Sequence, residues 1–226
     1  MAFLRTEQKF YLHSANAFLL ERRLCTLLKR DMHSTKSLSY LVQSLYFDDP
    51  SVSSYYEKLD GIEKRSKYRV RFYNNDHSYI RLEKKEKLGS RCRKTSERIT
   101  LDEANAFACG RFESHNFNGG LKGEFSHLIC HERFRPIVFL SYQRKAFIYP
   151  AGNVRITLDS DLKASQFPGE FSVLKNGLVP ILNDMETILE IKYDSFLPPF
   201  ISELFEDIPK QSSAISKFCK GVEALY

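Results

Sequence analysis

The sequence predicts a β-dominated α+β fold: an antiparallel sheet or barrel with helices packed outside it, in one domain over residues 1–226. Three observations predict it. Short stretches rich in apolar, aromatic and β-branched residues follow one another closely, tight-turn residues separate several of them, and helical periodicity is confined to a few segments. At 226 residues the chain suits one large domain and can bury a sizeable core without disulfide or metal staples.

In chain order, the strand candidates are 3–12, 39–47, 53–59, 66–73, 78–86, 91–100, 137–149, 154–158 and 185–193. Asp48-Asp-Pro50, Asp60-Gly61, Asn74-Asn-Asp76, Leu88-Gly89 and Pro150-Ala-Gly-Asn153 supply the turns. The first helix is expected after Ser14 as cap, with Ala17, Leu20, Leu24, Leu27 and Leu28 near one face. Thr100-Leu-Asp-Glu103 is a capping-box pattern, and Gly110 closes the helix that follows it. Residues 121–134 read as a helix, and a last one is expected from Ser212 or Ser213, carrying Ile215, Phe218, Val222 and Leu225.

Several function classes are excluded. No apolar run approaches the ~18 residues of a membrane-spanning helix, and the N-terminal residues lack the order of a signal peptide. Five cysteines, scattered and never in a Cys-x-x-Cys pair, fit a reducing cytoplasm. No glycine-rich phosphate loop is present, so any phosphate must be held by side chains.

The net charge of +6 is unevenly spread: residues 61–100 hold 13 Lys/Arg against 5 acids, and the rest of the chain sums to −2. Within this segment the charges alternate. Lys67, Arg69 and Arg71 share one strand face, with Tyr68, Val70 and Phe72 on the other; Arg81, Glu83 and Lys85 oppose Ile80 and Leu82. Farther on, Arg155, Thr157 and Asp159 oppose Val154, Ile156 and Leu158, while Glu190 and Lys192 oppose Leu189, Ile191 and Tyr193. Glu7 and Lys9 likewise share a face, with Phe10 opposite.

A sheet with one solvated face gives the same alternation. Two details point beyond it. Like charges repel on a pleated face, and the planar fork of arginine suits phosphate oxygens. With the charged faces inward, the sheet would form a cationic lumen for a multiply charged linear anion, its few carboxylates placed for Mg²⁺ or Mn²⁺. A nucleic-acid surface would need exposed stacking aromatics among the cations, whereas Tyr68 and Phe72 alternate away from them; no nucleic-acid partner is expected.

The segments Arg5-Thr-Glu-Gln-Lys-Phe10, Val42-Gln-Ser-Leu-Tyr-Phe-Asp48, Tyr68-Arg-Val-Arg-Phe-Tyr73 and Leu82-Glu-Lys-Lys85 occur in that order. Ser141-Tyr-Gln-Arg-Lys-Ala-Phe147, Val154-Arg-Ile-Thr-Leu-Asp159, Leu189-Glu-Ile-Lys192 and Ser216-Lys-Phe218 follow. Together they resemble the VTC polyphosphate-polymerase domain of the CYTH-like triphosphate tunnel metalloenzyme superfamily, over nearly the whole chain. The resemblance implies a closed eight-stranded antiparallel β-tunnel with flanking helices, and transfer of the ATP γ-phosphoryl group to polyphosphate with Mn²⁺ or Mg²⁺. It implies catalytic roles for Arg69, Arg71, Lys85, Arg144 and Arg155. Lys9, Lys94, Lys192, Ser216 and Lys217 would bind substrate, with Arg91 and Arg93 competing with Lys94 for its match. Glu190 would be the principal metal ligand, joined by Glu7 or Glu83.

Arg5 stands where the cyclase and thiamine-triphosphatase branch has the first Glu of Glu-x-Glu-x-Lys, which favours the polymerase-like branch. Neither an SPX domain nor a membrane segment is recognisable in this sequence, and a membrane-protein partner is among those the resemblance allows. The implied partners are ATP or another triphosphate and inorganic polyphosphate. A triphosphatase or polyphosphatase, or a non-catalytic polyphosphate- or nucleotide-binding module, would use the same residues. His127 and His131 have zinc-like spacing but lack a metalloprotease Glu, and read as incidental. Cys92, among Arg91, Arg93 and Lys94, reads as a bystander.

Overall fold

The computed structural model describes residues 5–31, 39–89, 91–111, 119–171, 177–209, 211–212 and 214–226. Its elements begin with β1 (Thr6–His13), α1 (Ser14–Leu27), β2 (Lys29–Arg30), β3 (Tyr40–Asp48), α2 (Ser53–Leu59), β4 (Lys64–Tyr73), β5 (Asp76–Leu88) and β6 (Arg91–Ile99). They continue with α3 (Leu101–Cys109), α4 (Gly120–His131), β7 (Arg135–Tyr149), β8 (Val154–Ser165), β9 (Val179–Pro180), β10 (Glu186–Tyr193), α5 (Pro199–Glu203), β11 (Gln211–Ser212) and α6 (Lys217–Leu225). The fold is β-dominated α+β, and the pairs β1–β10, β10–β8, β3–β4, β4–β5 and β5–β6 are antiparallel.

The chain forms two compact units, the first from residues 1–41, 142–162 and 182–216, the second from 42–141, 163–181 and 217–226. In the first, the strand path is β11-β1-β10-β8-β7, with β2 on β7; in the second it is β7-β3-β4-β5-β6, with β9 on β8. Each path is linear, with a first and a last strand.

In the first unit, alternation sends Phe10 and Leu12 of β1, Ile156 and Leu158 of β8, and Leu189 and Ile191 of β10 into one core, where Leu20 and Leu24 of α1 meet them. Burying each such side chain contributes about 1.5–3 kcal/mol. The cap of α1 is His13 rather than the expected Ser14: its Nδ1 accepts from the Ala15 amide at 3.3 Å. In the second unit, Val70 and Phe72 of β4 and Ile80 and Leu82 of β5 pack with Phe107 of α3 and Phe125 of α4. The capping box of α3 forms as expected: Thr100 Oγ1 accepts from the Glu103 amide and Glu103 Oε2 accepts from the Thr100 amide. Gly110, at φ +63°, ends it.

Residues 53–59 are a helix, not the expected strand. The reason lies just upstream. Asp48 Oδ2 accepts from the Ser54 amide and Asp49 Oδ1 accepts from the Ser51 and Ser53 amides, satisfying donors a helix start leaves open. Burial pushes the Asp48 carboxyl up to about 6 against the lowering effect of its Ser54 bonds. β8 runs seven residues past the expected Leu158. The last helix starts at Lys217, after the expected Ser212 or Ser213; Ser213 lies outside the described residues, as do residues 3 and 4 of the first strand candidate.

Helix α6 packs on β3 and β7 through Phe218, Cys219 and Val222 against Tyr46, Val138 and Leu140. Gly221 permits the approach, since a Cβ there would stand 2.7 Å from Leu140 Cδ2 and 2.8 Å from Val138 Cγ2.

Candidate functional site

The charged faces foreseen from alternation lie opposite the apolar cores. In the second unit the register aligns them into rungs across four strands. Lys67, Lys85 and Lys94 stand directly opposite one another on β4, β5 and β6. The next rung is Tyr46 of β3, Arg69, Glu83 and Ser96, and the third is Ser44, Arg71, Arg81 and Arg98. These three rungs therefore set seven cations of β4–β6 beside one carboxylate, although like charges directly opposite destabilise a sheet.

That carboxylate, Glu83, is 2 % exposed. Its Oε2 accepts from Arg69 Nε at 2.8 Å and faces Arg69 Nη2 at 2.6 Å and Arg71 Nη1 at 3.8 Å, while Lys94 Nζ lies 2.5 Å from Oε1. Burial pushes the Glu83 carboxyl up, but these three cations outweigh it and hold it far below the usual range. Arg71 Nε also donates to Ser44 Oγ at 3.0 Å and Arg69 Nη1 to the Tyr46 hydroxyl at 2.8 Å, which fixes both guanidinium planes. Lys67 lies 4.4 Å from the Phe218 ring centroid and 3.7 Å from Cys219 Sγ, and burial lowers its pKa.

Two more groups in this cluster titrate near the physiological range. Burial raises the Tyr46 phenol, but Arg69, Arg71 and Lys67 outweigh it and bring it down to about 8. Burial, together with Arg69 and Arg71 and opposed by Glu83, brings Lys94 down to about 8. Raising the pH through this range adds a phenolate and removes an ammonium, and both changes disfavour a bound anion. Affinity for tripolyphosphate is therefore expected to fall several-fold from about pH 7 to about pH 9.5, by linkage. Titration calorimetry checks this, and a Tyr46→Phe/Lys94→Met double variant should flatten the profile.

The charged face of the first unit is organised differently. Glu7 of β1, Lys192 of β10 and Arg155 of β8 form one rung, and Lys9, Glu190 and Thr157 the next. Here charges are matched. Lys9 Nζ is 2.9 Å from Glu7 Oε1 and 3.8 Å from Glu190 Oε1; Lys192 Nζ is 3.1 Å from Glu190 Oε1. Arg144 of β7 pairs bidentately with Asp159 of β8, Nε to Oδ1 and Nη2 to Oδ2 both at 2.7 Å. Its Nη2 also lies 3.8 Å from Glu190 Oε2. Arg155 Nη2 meets Asp31 Oδ2 at 2.6 Å and donates to the Tyr40 hydroxyl at 3.1 Å.

The expected residues thus fall into two groups. Arg69, Arg71, Lys85, Lys94 and Glu83 share the face of the second unit, where Lys217 opens α6. Lys9, Glu7, Glu190, Lys192, Arg155 and Arg144 belong to the first unit, as does Ser216, just before α6. Sequence reasoning assigned no role to Tyr46, Arg81, Arg98, Asp159 or Asp31. Arg81 and Asp159 were visible in the alternation. Tyr46 and Arg98 gain meaning only from cross-strand register, and Asp31 lies in an irregular segment that no pattern marks.

Glu7 and Glu190 face the same two ammonium groups, those of Lys9 and Lys192. Burial raises the Glu7 carboxyl, but Lys9 and Lys192 outweigh it and keep it below its ordinary value. Two neighbouring carboxylates are a donor set that suits a hard divalent cation whose remaining positions are filled by phosphate oxygens and water. Glu83 fits less well: Arg69 and Lys94 stand 2.6 and 2.5 Å from its oxygens, whereas the three cations around Glu190 stand 3.1–3.8 Å away. Among the described residues, no group of three or more His, Cys, Asp or Glu side chains is placed to hold a metal ion. His127 and His131 stack with ring centroids 4.3 Å apart. No described helix is long and apolar enough to cross a membrane.

The VTC domain family model matches residues 4–226. No curated protein matches the chain. Among solved structures, a Bacillus halodurans protein provisionally described as an adenylate cyclase is similar, with TM-score 0.52 and 15% identity over 91% of this chain and 87% of that one. PH1819 from Pyrococcus horikoshii aligns with TM-score 0.50 and 12% identity over 97% of this chain and 99% of that one. Both likenesses concern the fold.

Proposed function

The chain belongs to the VTC domain family, and from that premise we propose that it is a metal-dependent polyphosphate polymerase-like phosphotransferase, built as the closed tunnel its sequence resemblance implies. One observation carries the reading: three successive rungs on β4–β6 set seven cations beside a single carboxylate. Such repulsion costs folding free energy, and a bound polyanion relieves it.

Phosphoryl transfer demands positioning and charge neutralisation more than covalent chemistry from the protein. Arg69 and Arg71, held in plane by Glu83, Tyr46 and Ser44, would grip phosphate oxygens, with Lys85 and Lys94 adding charge alongside. The oxygen at the end of a phosphate chain, already ionised at neutral pH, would attack the γ-phosphorus of ATP. A new P–O bond forms, the bond to the β-phosphate oxygen breaks, and ADP leaves. No general base is needed.

Glu190 and Glu7 would hold Mg²⁺ or Mn²⁺, which when bound supplies positive charge to phosphate oxygens. Lys9 and Lys192 orient these carboxylates and keep Glu7 ionised. Glu190→Gln is expected to raise the Mn²⁺ concentration giving half-maximal activity by about tenfold or more, as loss of a hard-oxygen ligand should. An unchanged metal titration would place the ligand elsewhere.

Incubation of the protein with ATP and Mn²⁺, followed by product analysis, tests the whole reading. Long polyphosphate and ADP support the polymerase. Free phosphate or pyrophosphate would replace it with a hydrolase, and binding without turnover would replace it with a polyanion-binding module.

A further inference from the structure

We propose that Arg81 and Arg98 form an additional anion subsite on the charged face of the second unit, one that takes the phosphate groups of a polyphosphate chain beyond those held at Arg69, Arg71 and Lys94. The inference rests on the phosphate-binding reading above and adds a preference for chain length.

Arg71, Arg81 and Arg98 stand directly opposite one another on β4, β5 and β6. Side chains so placed are neighbours across the pleat, and three like charges in one rung are mutually destabilising. The inner rungs have Glu83 to offset their repulsion. At the outer rung the partners are neutral. Arg81 Nε donates to Ser96 Oγ at 2.7 Å and its Nη1 to the Tyr79 hydroxyl at 2.7 Å; Arg98 Nη2 donates to the Ser78 carbonyl at 3.0 Å. Among the described residues, neither guanidinium has a carboxylate within 4.0 Å. Glu97, next to Arg98 in sequence, belongs to the opposite face, where it accepts from the Lys122 amide at 3.2 Å.

These neutral partners orient the two guanidiniums without neutralising them. Tyr79 holds both, its ring centroid 5.7 Å from Arg81 Cζ and 5.4 Å from Arg98 Cζ. The arrangement restrains the donors before a ligand arrives, and charge-assisted bonds to phosphate oxygens are what such restrained forks make best.

Length follows from strand geometry. Lys94 and Arg98 are four residues apart on one face of β6, so the rungs they head lie about 13–14 Å apart at the usual rise per residue. A compact triphosphate seated at Arg69 and Lys94 meets the outer rung only through Arg71 on β4, whereas a long linear polyanion continues to Arg81 and Arg98.

The test measures binding of tripolyphosphate and of long-chain polyphosphate to the full chain by calorimetry. An Arg81→Ala/Arg98→Ala double variant should lose at least about tenfold in long-chain affinity, the scale of two charge-assisted contacts, and keep its tripolyphosphate affinity within about twofold. Thermal unfolding of the variant, at or above the wild-type midpoint because a repulsion is removed, checks that the fold persists. Arg22→Ala/Lys29→Ala removes the same charge from exposed positions of the first unit and should leave both affinities within about twofold.

Three outcomes overturn the proposal: undiminished long-chain binding in the Arg81/Arg98 variant, an equal loss for both ligands, or the same loss in the Arg22/Lys29 control. If the wild-type protein binds neither ligand, the phosphate-binding reading falls as well, which is distinguishable from failure of the subsite alone.

Discussion

Arg69→Ala is expected to lower polyphosphate synthesis by about 10²–10³-fold, the cost of removing one preorganised donor from developing phosphate charge. Arg69 is singled out by how it is held. Nε and Nη2 converge on Glu83 Oε2, and Nη1 reaches the Tyr46 hydroxyl. Its plane is therefore set before substrate binds, so little ordering remains to be done in the transition state. A lysine cannot hold both partners at once, and Arg69→Lys should recover only a small part of the loss.

The fold should survive either change, since Glu83 keeps Lys94 and Arg71 as counter-charges. A second readout ties the kinetics to the geometry. Arg69 is the strongest influence lowering the Tyr46 phenol against burial, so the ultraviolet titration of Tyr46 should move upward from about 8 in Arg69→Ala. A folded variant with wild-type activity would remove Arg69 from the phosphate site.

The largest stability effect is expected in the first unit. Asp159→Ala should destabilise the chain by about 3–5 kcal/mol, the usual cost of stranding a buried charge. Asp159 is fully buried and Arg144 is 9 % exposed. Burial alone would lower the Arg144 pKa; Asp159 outweighs it and keeps the guanidinium firmly charged. Without Asp159 the one carboxylate left near that charge among the described residues is Glu190, 3.8 Å away. Urea denaturation measures the loss, and Arg144→Met in the same chain should return part of it by removing the stranded charge. A loss below about 1 kcal/mol would mean that water reaches Arg144 and that the pair is a surface contact in effect.

How far the sequence carried the description depends on the kind of contact. Strand faces were legible because a two-residue period is written directly in Lys67-Tyr-Arg-Val-Arg-Phe72, and Lys67, Arg69 and Arg71 do share one face. The capping box at Thr100 was legible because both partners lie three residues apart. Residues 53–59 were misread because their aromatic content suggests a strand, while the acceptors that start a helix belong to Asp48 and Asp49, outside the window. Register was beyond the pattern. The alignment of Arg71, Arg81 and Arg98 depends on where the turns at Asn74-Asn75 and Gly89 fall and on the irregularity between Arg71 and Tyr73. The Arg144–Asp159 pair needed the pairing of two strands, and nothing in the spacing of those two residues announced it.

The seating of α6 has a consequence for direction. Phe218 and Cys219 lie against Tyr46 and Lys67, so the helix covers the β3–β4 face at its lysine end. Gly221 lets it sit too close to β7 for a larger side chain without displacement. On β3 and β4 the lysine end of the face is therefore covered, while its other end is marked by Tyr79. Under the proposed reading, a polyanion on these two strands would find more room toward the arginines than toward the helix, a bias set by a glycine that never touches it.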